Sequence, residues 1–485
     1  MMLTSRVQIL SAFFLLLATL GNSQQNHSLY FMHQVPESNL LNPAVPLSCK
    51  WYVGLPVLSS THLNYANSAL TFRQLFPKSE TGAYIADIDG LVKQLRWRNY
   101  IGTEIHTQLF ALGYRPGDYS FMFSVTEKNN LSLIVPKKIV RLLWGGNTQF
   151  EGESTGLKGT GVYFNHYREY ALSVSKFSGS GVYFGARAKL LFGKLNVATR
   201  NTSIDLFTDP TSFNLNFTGD LLAHSSLPLV IDTTGDILDN VSYNEEVNIP
   251  DLILNRKNPG FGIDLGIIYP YSNNLELSAS IIDLGFIRWR SNLNSMEGEG
   301  SFFYDGPWGD TVNTESYLRD IAGNLRDSLD LTISQTNYTS FLPARLIGGV
   351  KYHYSNKLSF GLQGEALFYR TKIIPSTTIS AMYNPFDYLG LMASYSIQYY
   401  SLKSVGAGIV LGRNPVQFYI LSDNVPGMIW PLSARNINLR FGLNILFGCK
   451  DKIGSPGSSG MGMLPGNCAW AEEQLQKKIR RKKNK

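Results

Sequence analysis

The chain has 485 residues, of which 44 are Gly, 12% are aromatic and only 16% are charged. This composition suits a lipid-facing β wall. The mean hydropathy of -0.07 and the lack of an internal run of about 18 apolar residues exclude a helical membrane protein. Arg6 contributes one unit and residues 450–485 contribute six units of the net charge of +7, so the body between them is neutral. Because basic clustering on a fold is the footprint of nucleic-acid binding, we expect no nucleic-acid partner.

The first 23 residues have the three parts of a secretory signal peptide. Arg6 is the positive end, Ile9–Leu20 is the apolar core, and Gly21-Asn22-Ser23 is a small-residue cleavage site. A membrane anchor is the alternative, but the apolar run is too short to span a bilayer. We therefore predict that residues 1–23 direct export and are removed.

The sequence of residues 24–49 predicts an irregular segment before the first strand. Pro36, Pro43 and Pro46 interrupt any regular element there. The segment is nevertheless more apolar than a plain linker, which indicates a plug at the mouth of a barrel. Farther along, apolar residues at helical spacing predict short helices over Ala83–Trp97, Lys137–Trp144 and Glu315–Leu329.

The clearest strand is Asn436–Phe447. Ile437, Leu439, Phe441 and every second residue after them are large and apolar, and the opposite face is mostly polar or Gly. Successive side chains of a strand point to opposite faces, so this segment has one apolar face and one polar face. The pattern fits either a half-buried strand of a soluble sandwich or a strand of a membrane barrel, which needs about 9–11 residues to cross a bilayer.

The lengths of the connections favour the barrel over the sandwich. Short turns such as Arg115–Asp118 and Tyr354–Lys357 alternate with long excursions such as 226–258 and 290–340. Outer-membrane barrels have this asymmetry, with tight periplasmic turns and long extracellular loops. We therefore predict an all-β, transmembrane antiparallel barrel over residues 50–448.

The number of strands is left between 14 and 16. The pattern gives 17 candidates, and a barrel with both chain ends on one side needs an even number. We expect an error between residues 156 and 225, where the candidates are Gly156–Phe164, Arg168–Lys176, Val182–Phe192, Asn201–Phe207 and Phe213–His224. The first strand candidate of the series is Trp51–Leu58.

Several polar residues alternate with apolar ones on these strands, which predicts a polar row along the lumen. The residues of the row are Glu104, His106, Gln108, Gln363, Glu365, Asn438, Arg440 and Asn444. The remaining motifs carry little chemistry. Gly152–Gly156 matches the G-x-S-x-G nucleophile pattern, but a helix precedes it and a strand follows it, which is the reverse of the required order. We predict no enzyme, no catalytic residue, no cofactor and no metal.

Three cysteines allow more than one pairing. Cys49 lies two residues before the first strand, and Cys449 lies two residues after the last. Closure of a barrel places its first and last strands side by side, so a Cys49–Cys449 disulfide would join the seam. Pairing of Cys449 with Cys468 and three free thiols are the alternatives.

Residues 449–485 predict a flexible basic tail in the periplasm. Its linker is rich in Gly, Ser and Pro, and its last nine residues are KKIRRKKNK. The tail is either a solvated arm or a contact with anionic lipid headgroups, the cell wall or an acidic periplasmic or secretion-system partner.

Several short stretches carry a resemblance to a known family. They are Asn42-Pro43-Ala44, Phe184–Arg187, Pro259–Gly266 and Ile282–Phe286. With them, the chain resembles a family of Bacteroidota outer-membrane barrels related to FadL-type long-chain fatty-acid transporters and to PorV-type barrels of the type IX secretion system. The resemblance covers most of residues 29–447 and implies about 14 strands and an N-terminal plug. It also implies a location in the outer membrane of a Gram-negative bacterium, in contact with outer-membrane lipids.

Two functions follow from these expectations. The first is binding or passage of a hydrophobic solute, as in FadL-type transporters. The second is a non-enzymatic scaffold or shuttle in a secretion or surface-assembly complex, as in PorV-type barrels. An apolar lumen with a lateral opening would favour the first function, and a plugged lumen would favour the second.

Overall fold

The computed structural model describes residues 27–449 except 69–70, 157, 179–180, 213, 232–240, 245–246, 305–331, 370–371 and 399–400. The signal peptide, the predicted helix at Glu315–Leu329, Cys468 and the basic tail lie outside the described residues. None of the helices in the described part has the length and apolar composition needed to cross a bilayer.

Fourteen antiparallel strands close into a barrel. In chain order they are β1 (Trp51–Gly54, resumed at Thr61–Asn67), β2 (Arg98–Tyr114), β3 (Tyr119–Pro136), β4 (Gly161–Phe177), β5 (Tyr183–Thr208), β6 (Leu215–Ser226, resumed at Asn258–Pro270), β7 (Leu275–Trp289, continued by Leu293–Tyr304), β8 (Thr332–Ser334, Tyr338–Phe341 and Ala344–His353), β9 (Leu358–Tyr369), β10 (Lys372–Phe386), β11 (Leu389–Gln398), β12 (Ser401–Gly412), β13 (Val416–Ser422) and β14 (Asn436–Phe447).

Short elements occupy the connections and the lumen. The helices are α1 (Phe72–Leu75), α2 (Ile88–Gln94), α3 (Lys137–Gly145), α4 (Ile249–Ile253) and α5 (Val425–Ile429). Single 3₁₀ turns lie at His27–Leu29, Pro36–Leu40, Thr148–Phe150 and Pro431–Ser433, and short strands lie at Ser154–Gly156, Leu229–Ile231 and Val241–Tyr243.

The barrel closes by pairing β14 with β1. Trp51 lies opposite Phe447, and Thr61 lies opposite Phe441 farther up the seam. Both chain ends of the barrel are therefore at the same rim, where turns such as Arg115–Asp118 are short. The long connections lie at the opposite rim. The predicted barrel of about 14 strands is confirmed.

The 17 candidates become 14 strands because two candidates merge into one strand in each of β4, β5 and β6. Both register shifts lie on β5, where Lys194 is the extra residue in the pairing with β4 and Arg200 is the extra residue in the pairing with β6. A bulge adds one residue and flips the faces beyond it, so one strand looks like two. In β6 the wall is interrupted by residues 227–257 and then resumes.

Two predicted elements have the wrong bounds. The first strand leaves the wall after Gly54, where Val57 has a φ of 66°, and returns at Thr61. The helix predicted over Ala83–Trp97 is restricted to Ile88–Gln94, because Asp87 caps it by accepting a 2.8 Å hydrogen bond from the Gly90 N–H.

The two faces of the wall differ in polarity. On β9, Ser359, Gln363 and Glu365 are buried inside the barrel, while Phe360 and Leu362 are 42% and 49% exposed on the outside. The same alternation runs through β14. An apolar outer face of this kind matches a hydrocarbon environment.

Residues 27–49 lie inside the barrel, and we call them the N-terminal segment. All but three of them are buried. The wall holds the segment by hydrogen bonds to its backbone: Lys351 Nζ donates to Phe31 O at 3.2 Å, Gln417 Nε2 to Gln34 O at 3.1 Å, and Ser280 Oγ to Leu41 O at 2.7 Å. The segment fills the half of the lumen nearest the short turns.

Cys49 and Cys449 are joined by a disulfide, with an S–S distance of 1.99 Å. The bond joins the end of the N-terminal segment to Cys449, the second residue after β14, at the rim with the short turns. It closes a loop with a sequence separation of 400 residues. In the chain-entropy account, cross-linking so long a loop stabilises the folded state by several kcal/mol.

We expect an alkylating reagent to label Cys468 in the unreduced, denatured protein and to label Cys49 and Cys449 only after reduction. Peptide mapping by mass spectrometry measures this directly. Reduction should also lower the denaturant concentration at the unfolding midpoint. Recovery of alkylated Cys49 from the unreduced sample would contradict the bond.

Candidate ligand site in the barrel lumen

The N-terminal segment forms the floor of the site. Its 3₁₀ turn Pro36–Leu40 places Glu37 between β1 and β14, where Tyr52 Oη and Asn444 Nδ2 donate to the two carboxylate oxygens at 2.9 and 3.0 Å. Burial raises the pKa of Glu37 to about 7. Leu40 and Leu41 face the space above.

A belt of buried charges lies just above this floor. Lys189 Nζ is 2.7 Å from Asp264 Oδ1 and 2.6 Å from Asp283 Oδ1, and Lys128 Nζ is 2.8 Å from Glu169 Oε2. Buried ion pairs such as these are stable only when each charge is compensated and hydrogen-bonded. The belt therefore joins strands β3, β4, β5, β6 and β7 around the lumen.

Arg187 connects the belt to the floor. Its Nη1 is 2.8 Å from Asp264 Oδ2, and its Nη2 donates to the side-chain Oδ1 of Asn39 at 2.6 Å and to the Asn39 carbonyl. The side chain is 1% exposed. One guanidinium thus holds both the wall and the N-terminal segment.

A bulge brings the two aspartates together. The pairing of β6 with β7 shifts register between Ile263 and Leu265, and Asp283 takes a φ of 59°. The Asp283 N–H donates to Asp264 Oδ1 at 2.7 Å. The extra residue turns Asp283 inward beside Ile282, a placement that regular alternation would not allow.

The belt lines a cavity of about 50 Å³. Five basic and two acidic side chains border it, so the lining carries an excess of positive charge. The charged residues are Lys128, Arg187, Lys189, Arg345, Arg440, Glu169 and Asp283. Such a lining favours an anionic group over a cationic one.

An aromatic and aliphatic cluster lies next to the cavity. Tyr167 connects the two regions, since Lys128 Nζ lies 5.8 Å from the centre of its ring. The cluster continues along β7 and β8 toward the rim with the long connections, and it consists of Tyr167, Leu191, Ile287, Trp289, Leu293, Tyr338 and Leu342. The lumen thus places a basic lining beside a buried apolar cluster.

The residues of the predicted polar row all lie on inward-facing strand positions. Glu104, Gln363 and Glu365 are buried, as are Gln108, Asn438, Arg440 and Asn444, and His106 borders the cavity. They fall into separate groups: Asn444 contacts Glu37, Arg345 Nη1 lies 4.0 Å from Glu365 Oε1, and Glu104 lies near His106. Only His106, Gln108 and Arg440 of the row line the cavity.

The belt residues themselves were missed by the sequence analysis. Asp264 is a single charge among Gly260, Gly262 and Gly266 on the inward face of β6, while Lys189 follows Arg187 on the inward face of β5. An isolated charge amid an otherwise low-charge strand was the available signal, since such residues are expensive to place there unless paired.

Comparison with known proteins places the chain in a family. Residues 43–423 match DUF5723, a family of unknown function, and the chain belongs to that family. No curated protein sequence matches it.

Several solved barrels superpose loosely on this one. The Ralstonia pickettii toluene transporter TbuX is 9% identical with a TM-score of 0.43, over 89% of this chain and 99% of the transporter. A Pseudomonas aeruginosa FadL homologue is 11% identical with a TM-score of 0.42, over 86% of this chain and 94% of the homologue. At this level of overlap, neither a cargo nor an activity transfers to the present chain.

Proposed function

We propose that the protein is an outer-membrane barrel that binds, and passes, hydrophobic small molecules bearing an acidic head group. The observation that carries the proposal is the basic cavity beside the apolar cluster at Trp289 and Tyr338. An acidic head would contact the basic lining, where charge-assisted hydrogen bonds are strongest. The hydrocarbon part would lie against the cluster once the cluster's side chains, which are buried in this structure, move apart to widen the cavity of about 50 Å³.

The proposed location rests on three features. The N-terminus has the parts of a signal peptide, the outer face of the barrel is apolar, and both ends of the barrel lie at the rim with short turns. In bacterial outer-membrane barrels this rim faces the periplasm. The export signal and the lipid contacts are part of the same proposal.

The N-terminal segment blocks the half of the lumen nearest the short turns, which constrains any passage of a solute through the barrel. Because residues 27–49 occupy that half, a solute that reaches the cavity meets Leu40, Leu41 and Arg187. Passage toward the periplasm therefore requires the N-terminal segment to move, while binding alone does not.

We expect the detergent-solubilised protein to bind a long-chain carboxylate more tightly than the alcohol of the same chain length. The Arg345→Gln variant should weaken carboxylate binding about tenfold or more, since a hydrogen bond to a charged group contributes about 1.5–3 kcal/mol. Native mass spectrometry and titration calorimetry measure the two affinities. Alcohol binding should be unchanged.

The matched control is Arg290→Gln, which alters an exposed arginine outside the cavity. Both variants should retain the heat-dependent gel mobility of a folded barrel. Equal binding of alcohol and carboxylate, or an equal loss in both variants, would argue against the basic cavity as the head-group site.

A scaffold in a secretion or surface-assembly complex is the second candidate, and the filled lumen favours it. If native mass spectrometry finds a stoichiometric protein partner and no small molecule, this candidate replaces the first. The basic tail at 450–485 and the long connections would then be the surfaces to vary.

A further inference from the structure

Two histidines and a glutamate meet on the inner wall beside the cavity. His62 on β1 lies directly opposite His106 on β2, and Glu104 lies two residues before His106 on the same inward face. One ligand atom from each of the three side chains lies within 4.8 Å of the others. We propose that His62, Glu104 and His106 form a binding site for a divalent transition metal of the zinc class.

The donor set matches the chemistry of such ions. Two imidazole nitrogens and one carboxylate oxygen are ligands that Zn²⁺ accepts, and three protein ligands leave a fourth position open. A bound Zn²⁺ lies about 2.0–2.2 Å from each nitrogen and oxygen. Ligand atoms already within 4.8 Å of one another need only small side-chain rotations to reach those distances.

Both imidazole rings are held from outside the cluster. His106 Nε2 donates to Asn130 Oδ1 at 2.8 Å, which leaves the lone pair of the neutral ring on Nδ1. Asn438 Nδ2 donates to His62 Nε2 at 2.9 Å, so a metal on Nδ1 of His62 requires the Asn438 carboxamide to turn over and accept from Nε2. Metal-ligating histidines are oriented in this way by hydrogen bonds to their second nitrogen.

Three cations, Lys128, Arg345 and Arg440, lie near the cluster and oppose a bound cation, so metal binding would depend on the three ligands and not on the field of the cavity. Arg440 Nη1 donates to Ser60 Oγ at 2.9 Å, and Lys128 Nζ is 2.8 Å from Glu169 Oε2. Glu104 brings a negative charge to the three ligands and is 4% exposed. A low-dielectric setting strengthens the attraction between this carboxylate and a bound ion.

The cluster has one open side. His106 borders the cavity, so the cluster can be reached from the lumen. An ion held there would also join β1 to β2 next to the seam of the barrel. The proposed metal ligands and the basic residues proposed to bind a carboxylate are different side chains, although His106 borders the same cavity, so either proposal can fail without the other.

The test uses the full mature chain, purified without a histidine tag and freed of metal with a chelator. We expect titration calorimetry with Zn²⁺ to show one saturable equivalent, and Co²⁺ to give the visible absorption of a four-coordinate ion. His62→Ala and His106→Ala should each weaken Zn²⁺ binding more than about 100-fold, beyond the roughly 10–100-fold that loss of an outer hydrogen-bonding partner causes.

Glu104→Gln keeps the size of the side chain and removes its charge, so it tests the site even if a histidine variant fails to fold. The matched control is His166→Ala, which removes a histidine that contacts Glu127 at 2.6 Å and is not part of the cluster. Binding should be unchanged in that variant. Absence of a one-to-one Zn²⁺ complex, or undiminished affinity in Glu104→Gln and in the folded histidine variants, would overturn the proposal.

Discussion

The Asp264→Ala variant should lose about 3–5 kcal/mol of unfolding free energy, because removing one partner of a buried ion pair leaves its counter-charges uncompensated. Asp264 is fully buried and lies within 2.8 Å of both Arg187 and Lys189. Without it, two buried cations share the remaining carboxylates, and Arg187 loses the carboxylate that pairs with its guanidinium beside the N-terminal segment.

Denaturant unfolding in detergent micelles or lipid vesicles, followed by tryptophan fluorescence and gel mobility, measures this loss. Asp387→Ala is the matched control, since Asp387 pairs with Arg413 at 3.8 Å and both side chains are partly exposed. An exposed pair contributes about 0–1 kcal/mol. A loss in Asp264→Ala no larger than in the control would show that the belt does not hold the barrel together.

The Gly185→Ala variant should loosen the N-terminal segment. A Cβ at Gly185 would lie 2.1 Å from Pro43 C and 2.2 Å from Ala44 N, so backbone would have to move. Overpacking of this kind costs about 1–3 kcal/mol. If the cost falls on local opening, the opened state should become roughly 5- to 150-fold more populated.

Hydrogen exchange of the amides in residues 39–47 reports this opening, and single-channel conductance in planar bilayers reports whether the lumen becomes permeable to ions. Gly348→Ala is the matched control, because a Cβ there meets nothing within 4 Å. Protected amides in Gly185→Ala, at the level of the control, would mean that the wall rather than the segment absorbs the new methyl group.

The architecture of the barrel could be read from local sequence because it depends on local rules. In Asn436–Phe447 and Leu358–Tyr369 the side chains alternate without interruption, and both segments are strands with the expected faces. The asymmetry between short turns and long connections was also visible along the chain. The strand count was ambiguous in part because bulges at Lys194 and Arg200 interrupt the alternation of β5.

The candidate site was only partly visible. The sequence indicated that Glu104, His106 and Arg440 face inward, but it did not indicate which residues of other strands they approach. Lys189, Asp264 and Asp283 come from three strands, and their meeting depends on register and on a bulge. Register across a barrel is set by pairing between distant segments, which no local pattern records.

The sequence by itself determined the alternation of polar and apolar faces, the neutral body and the irregular, proline-interrupted segment before the first strand. These properties follow from composition and from the period of a strand. Only the tertiary structure decided that this segment fills the lumen, that Arg187 and Asp264 hold it there, and that His62 lies beside Glu104 and His106. Each of these contacts joins residues far apart in the chain, so closure of the wall was needed to bring them together.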